Sequence, residues 1–506
     1  MITLNKFLKT KDLVDLVFHN ATLELDKKLI KRIDDNHEFL KEYSKSKVIY
    51  GVNTGFGPMA QYRVQDDRII ELQFNLIRSH AAGTGKVFPP EHVKATMIAR
   101  LVSLSKCKSG VNSTVVKVLE QMINKDVYPL IFQHGGVGAS GDLVQLAHLA
   151  LCVIGEGEVF YKGDRRNTKD VFKEVGIEPA EIKIREGLAM INGTSAMTGI
   201  GILNHFKAQR LLSWSIKCSA MINELVQAYD DHFSIELNSA KLHEGQLEIA
   251  KDIRDHISDS KLMKNRQNTL YSGENQEEFF KDKVQEYYSV RCIPQILGPV
   301  LDTINYTGEI LEKELNSAND NPIIDSERQQ VYHGGNFHGD YISLEMDKLR
   351  LVITRMTMLA ERQLNFLLNH KINEILPPFV NRGVLGLNYG MQAAQFTATS
   401  TTAENQTLSN SMYVHSIPNN NDNQDIVSMG ANAAQLTTIA IENAFEVLSI
   451  ELITIIQAIR HNEIQDKLSS KSQTVCEELV SLIPDIIEDK PLYPIIQKAK
   501  DYIKNH

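Results

Sequence analysis

Cysteine is scarce in this chain and unorganised. Cys107, Cys152, Cys218, Cys292 and Cys476 are scattered, odd in number and form no C-x-x-C pair. That excludes a disulfide framework and a cysteine-built zinc or redox site, and it predicts reduced thiols in a cytoplasmic protein. Basic residues are short as well: 54 Lys plus Arg against 63 Asp plus Glu leave a net charge of −9. With no basic patch or aromatic ladder, nucleic acid and anionic membrane surfaces drop out as partners. Long apolar runs are missing too. The longest, near Leu448 to Ile459, is broken by Glu451 and is too short to span a membrane. The first twenty residues mix Lys and Asp with apolar residues and lack the apolar centre of a signal peptide. Prolines number only 14, and Pro294, Pro299, Pro322 and Pro377–Pro378 read as junctions.

What is present is ordinary globular material. The chain has 506 residues, 42% hydrophobic and 23% charged, and its length alone predicts about three domains. From about Phe206 onward, helical spacing dominates. One apolar stripe runs Leu349, Ile353, Met356, Ala360, Leu364, Leu367; another runs Phe445, Leu448, Leu452, Ile455, Ile459. Steps of three and four residues over several turns predict long helices that bury one face. Before about Gly199 the pattern is more mixed, with glycine loops at Gly51–Gly57, Gly83–Gly85 and Gly135–Gly141. The expected fold is therefore mainly α. A loop-rich, mixed N-terminal domain (1–200) precedes a long-helix bundle (201–506).

The segment Gly135-Gly136-Val137-Gly138-Ala139-Ser140-Gly141-Asp142-Leu143 is open to three readings. It can be a plain turn feeding a helix. Gly136, Gly138 and Gly141 also satisfy the G-x-G-x-x-G phosphate cradle by letter. Against that, Asp142 would put a carboxylate where a pyrophosphate belongs, and the helical pattern lacks repeated strand-helix-strand units. The third reading is a self-made electrophile. With so little side-chain bulk, the nitrogen of Gly141 can attack the carbonyl of Ala139. Loss of water, including the Ser140 hydroxyl, then leaves a methylidene-imidazolone (MIO) ring.

Other polar, glycine-bearing islands sit within apolar sequence: Tyr50–Gly57, Ser79-His80, Asn192-Gly193-Thr194, Gln285–Arg291, Asn319–Pro322, Gly334–Phe337 and Asn419–Asp425. Each alone reads as a turn or cap. Together with Ala139-Ser140-Gly141-Asp142-Leu143 they make the chain resemble the MIO-dependent histidine, phenylalanine and tyrosine ammonia-lyases and related aminomutases. The matching motifs run from about Tyr50 to Gly430.

The resemblance implies a homotetramer whose active sites combine residues of more than one subunit, acting on a small aromatic amino acid. It implies an MIO cofactor made from Ala139, Ser140 and Gly141, with neither metal nor nucleotide. Tyr50 matches the base that takes the β-proton; a free phenol titrates near pKa ~10, so its neighbours must favour the phenolate. Arg291 matches the arginine that holds the substrate carboxylate, a task suited to a planar fork. Asn192 and Tyr288 match residues that orient and line the electrophile. Gln285, Asn321 and Phe337 match further active-site positions, and Leu143 would touch the substrate ring.

On the substrate the residues point two ways. Ser79-His80 is the pair typical of histidine enzymes. Gln424 stands where those enzymes carry a glutamate, and Asn420 is the residue tyrosine enzymes tend to have. Asn192-Gly-Thr-Ser195 also looks like the tyrosine and phenylalanine branch. A neutral Gln–Asn pair suits a phenol or phenyl ring, whereas a glutamate suits an imidazole that takes a proton. A polar site also discriminates against a ring lacking its hydroxyl. The reading favours elimination of ammonia from L-tyrosine to give trans-p-coumarate, with weaker turnover of L-phenylalanine. Histidine ammonia-lyase and aminomutase activity are the alternatives. A nicotinamide-dependent dehydrogenase would rest on the three glycines alone, and a non-catalytic scaffold leaves Tyr50, Ser140, Asn192 and Arg291 together without a purpose.

Overall fold

The computed structural model describes residues 1–5, 7–272, 278–280 and 283–506. The fold is mainly α, as the apolar spacing predicts. The first stripe lies on the helix Asp340–Leu368 and the second on the helix Gly430–Asn462. Every residue of both stripes is buried. The apolar run that Glu451 interrupts is thus a core helix segment. Among the described residues, no helix is long and apolar enough to cross a membrane.

The chain divides into two compact units, where length alone predicts about three domains. Unit 1 comprises Met1–Phe206, Thr307–Asp347 and Ser411–Thr438; unit 2 comprises Lys207–Tyr306, Lys348–Asn410 and Ile439–His506. The division is therefore not a single cut near residue 200, since the chain returns to unit 1 twice. The helices Ser195–Leu225, Ile293–Leu315, Asp340–Leu368 and Gly430–Asn462 each have residues in both units. Pro299, which the sequence places at a junction, lies inside the second of these helices.

Among its described residues, unit 1 holds four small sheets. Ile2–Leu4 pairs in parallel with Leu23–Leu25, and the other three sheets are antiparallel. The strand before the glycine-rich segment, Phe132–His134, pairs antiparallel with Thr84–Val87 in a two-stranded sheet. A dinucleotide fold needs a larger parallel sheet with crossover helices, so this topology rules out the cradle reading. At the centre of unit 1 runs the helix Pro90–Leu104, in which every residue from His92 to Leu104 is buried. Pro90 starts it where a missing N–H costs nothing, and its sequence has no polar face to show water. One fully buried charge, Arg100, rides on it.

Candidate active site

The glycine-rich segment is fixed from several directions. The Gly138 carbonyl accepts hydrogen bonds from Ser428 Oγ (2.9 Å) and the Gly339 amide (3.1 Å), while Val137 O accepts from the Met429 amide (2.9 Å). Gly141 then pairs with Gly193, and the Asp142 amide donates to Gly193 O at 2.8 Å. Gly141 has φ +71°, and a Cβ there would fall 2.0 Å from Gly193 O. Gly193, at φ +143°, would drive a Cβ to 2.3 Å from Arg100 Nη1. Both positions demand glycine, on backbone angle and on space alike. A buried Ala139, a Gly141 that carries no side chain and this tight pairing fit what ring closure needs: small residues in a backbone already bent.

The two oxygens of Ser140 are held by two different amides. Asn192 Nδ2 donates to Ser140 O at 3.2 Å, and Gln424 Nε2 donates to Ser140 Oγ at 3.0 Å. Asn192 caps the C-terminal end of the helix Glu186–Ile191. Its Oδ1 accepts from the Asn321 amide (2.9 Å), and Asn321 Oδ1 accepts from the Gly334 amide (2.8 Å). Three of the polar islands are therefore one hydrogen-bonded chain behind Ser140. Gln424 closes a loop against Asn419. Inside that loop Asn420, Asn421 and Asp422 have φ of +56°, +52° and +57°, a left-handed run that Asn and Asp tolerate better than most residues.

The same loop reaches Tyr50. A Cβ on Gly57 would lie 2.8 Å from Asn420 Nδ2, so the Asn420 amide covers Gly57. The Gly57 N–H donates to the Tyr50 phenolic oxygen at 2.9 Å. That bond strengthens as the oxygen gains negative charge. Phe56 meets the Tyr50 ring edge-on at 6.1 Å. Ser79 and His80 end the helix Ile69–His80, where His80 Nδ1 lies 2.9 Å from the Leu76 carbonyl. A carbonyl only accepts, so Nδ1 carries the proton and Nε2 of the neutral ring is an acceptor. Burial lowers the His80 pKa, which keeps the ring neutral near pH 7. Leu143 opens the helix Leu143–Val153, and Phe337 lies half-buried in the turn before the helix Asp340–Leu368.

Gln285, Tyr288 and Arg291 lie together in unit 2, lining a cleft of about 620 Å³. The short helix Tyr288–Arg291 is held by Asn223 Nδ2 on Val290 O (3.2 Å) and Gln363 Nε2 on Ser289 O (2.8 Å). The Arg291 guanidinium stacks 4.9 Å from the Tyr288 ring. Its Nε is buried and has no hydrogen-bond partner among the described residues. A buried, unpaired guanidinium N–H is costly, and an anion in the cleft would satisfy it.

Sequence reasoning missed a set of buried polar residues behind the segment. Asp142, read only as an obstacle to phosphate, is fully buried, and its Oδ2 accepts from the amides of Ala196 (2.8 Å) and Met197 (2.9 Å). It thereby caps the helix Ser195–Leu225. Burial pushes its pKa up to about 7, against the pull of those two N–H groups. Arg100, pushed down to about 10 by burial, donates to Ala189 O. Asn319 Nδ2 donates to Thr194 Oγ1 (2.8 Å), and Thr194 in turn donates to the half-buried Glu314. A lone Arg in the apolar run from Ala95 to Leu104 was the one signal available.

Among the described residues, no cluster of His, Cys, Asp and Glu is arranged to hold a metal ion. Comparison with known proteins places this geometry. The family model for aromatic amino acid lyases matches residues 8–481. The tyrosine 2,3-aminomutase of Chondromyces crocatus is 37% identical over 499 residues, covering 97% of this chain and 94% of that protein. The histidine ammonia-lyase of Staphylococcus saprophyticus is 36% identical over 508 residues, covering 100% and 98%. The crystal structure of the tyrosine aminomutase from Streptomyces globisporus superposes with a TM-score of 0.95 at 33% identity, covering 100% of this chain and 97% of that one. The chain belongs to the aromatic amino acid lyase family.

Proposed function

We propose that this protein is an MIO-dependent ammonia-lyase that converts L-tyrosine to trans-p-coumarate and ammonia, and L-phenylalanine more slowly to cinnamate. One observation carries the choice of ring: the loop beside Ser140 and Tyr50 presents two neutral amides, Gln424 and Asn420, and no carboxylate from those positions. A neutral polar wall suits a phenol and gives no counter-charge to an imidazolium. Supporting this, the Nδ1 bond to the Leu76 carbonyl leaves His80 Nε2 as the ring's acceptor, suited to a phenolic hydrogen. A tyrosine enzyme is also among the most similar relatives.

In this reading Ala139, Ser140 and Gly141 form the MIO ring, which supplies the electrophile that labilises the amine. The protein's own groups do the rest. Arg291 pairs with the substrate carboxylate through a guanidinium whose Nε has no other partner among the described residues. Tyr50 takes the β-proton, and the Gly57 N–H holds its oxygen as charge develops. Asn192 orients the Ser140 carbonyl, backed by Asn321. Tyr288 and Gln285 line the carboxylate end. Leu143 and Phe337 flank the aromatic ring, with Ser79 supporting His80. The working assembly is a homotetramer.

The deciding assay supplies tyrosine, histidine and phenylalanine side by side to purified enzyme and quantifies every product. Coumarate from tyrosine should dominate. Urocanate forming much faster than coumarate would defeat the tyrosine assignment. The tyrosine 2,3-aminomutase relative favours a second reading, in which the ammonia returns to the β-carbon. β-Tyrosine as the main product would establish it.

A further inference from the structure

Ring closure removes two oxygens and keeps one, and the geometry sorts them. Gly141 N attacks the Ala139 carbonyl carbon and forms a C–N bond. The Ala139 oxygen then leaves as water with the hydrogens of Gly141 N and Ser140 N. In the second loss, the Ser140 Cα–H pair becomes the Cα=Cβ bond while the Cβ–Oγ bond breaks. The departing Oγ–H and the Cα proton make the second water. No oxidant or co-reactant enters. Ser140 O, which Asn192 holds at 3.2 Å, stays in the ring as its carbonyl. Ser140 Oγ, which Gln424 holds at 3.0 Å, departs.

We propose that Gln424 is a positioning residue for maturation, its amide stabilising the Ser140 hydroxyl as that group leaves; the same amide is released to face the substrate once Oγ has gone. The inference rests on the MIO reading above. Geometry supports the assignment twice. Among the described residues, the amide donor to Ser140 Oγ is Gln424 Nε2, and it sits on a loop pinned by its own Asn419–Gln424 pairing. The three left-handed residues between those two positions fix the loop's path, so the amide is held in place before the chemistry starts. A donor aimed in advance at an oxygen that gains negative charge lowers the barrier to its departure.

The experiment follows maturation itself. Wild type, Gln424→Met and Gln424→Lys are made by cell-free synthesis, and intact mass is read over time, with melting curves as a control on folding. Wild type should reach a deficit of two waters. Gln424→Met, similar in volume but without a donor, should mature roughly tenfold or more slowly and accumulate a chain lacking one water. Gln424→Lys restores an N–H donor and should recover most of the rate. Gln424→Met maturing at the wild-type rate overturns the proposal. So does Gln424→Lys remaining as slow as Gln424→Met when both melt like wild type. Should Gln424→Met not fold, the Lys variant decides alone: maturation within about threefold of wild type supports the donor role, and a tenfold loss overturns it. A wild-type chain with no deficit at all would instead remove the MIO reading beneath it.

Discussion

Asp142 shows how one residue serves chemistry and stability together. It follows the tripeptide directly, caps the helix Ser195–Leu225 with one oxygen, and leaves the other, Oδ1, without a partner among the described residues. Burial therefore dominates, and the carboxyl titrates at about 7 in the folded chain. An unfolded Asp titrates near ~3.9, so across this window the folded chain binds more protons than the unfolded one. Stability from this group is thus complete below ~4 and is lost as pH rises through about 7, by on the order of 4 kcal/mol at most. Asp142→Asn keeps an oxygen for the two amides and cannot ionise. Melting temperatures taken from pH ~5 to ~8 should fall with pH in wild type and fall less steeply in the variant. Equal slopes would mean that the carboxyl is not held protonated. Nothing in the sequence disclosed this: an Asp before a helix reads as that helix's own cap, whereas its partners lie 54 and 55 residues further on.

At the level of elements, legibility followed range. The long helices were readable because spacing of three and four residues is a local property, and Leu349 through Leu367 all fall on one buried face. The membership of units 1 and 2 was not readable. Residues 307–347 and 411–438 join unit 1 through long-range bonds such as Asn321 to Asn192 and Gln424 to Ser140, and no local pattern announces a partner more than 100 residues away. The loop Asn419–Asp425 lies between these cases. Its composition marks a turn, but not that the turn is wound through three left-handed residues. Asn421 sits in mid-loop at φ +52°. Asn421→Val places a β-branched residue there and should cost about 1–2 kcal/mol of stability. Asn421→Gly should be close to neutral. Thermal melting gives the first comparison. The second is turnover of tyrosine, which should fall in the Val variant because Asn420 and Gln424 share the loop. A Val variant with wild-type melting and turnover would show that the left-handed path is not what holds those amides.

For the whole molecule, the open matter is what covers its apolar surface. Within unit 2, Val384, Leu385, Leu387, Tyr389 and Phe396 are all more than half exposed within thirteen residues of sequence. Single exposed apolar residues are unremarkable, whereas five in so short a run make this stretch a candidate subunit surface. The proposed homotetramer supplies that cover without invoking a second kind of chain, since copies of one chain close most simply on self-complementary surfaces. Charges placed in such an interface would lie buried without partners when the copies meet. Leu387→Asp with Phe396→Glu should therefore lower the assembled mass in sedimentation equilibrium while each chain keeps its helical circular dichroism. Tyrosine turnover should fall with the assembled fraction if each site draws on more than one subunit. A variant that sediments as wild type does would move the interface elsewhere on the chain. A variant that dissociates yet turns over tyrosine at the wild-type rate would confine the whole chemistry to a single copy.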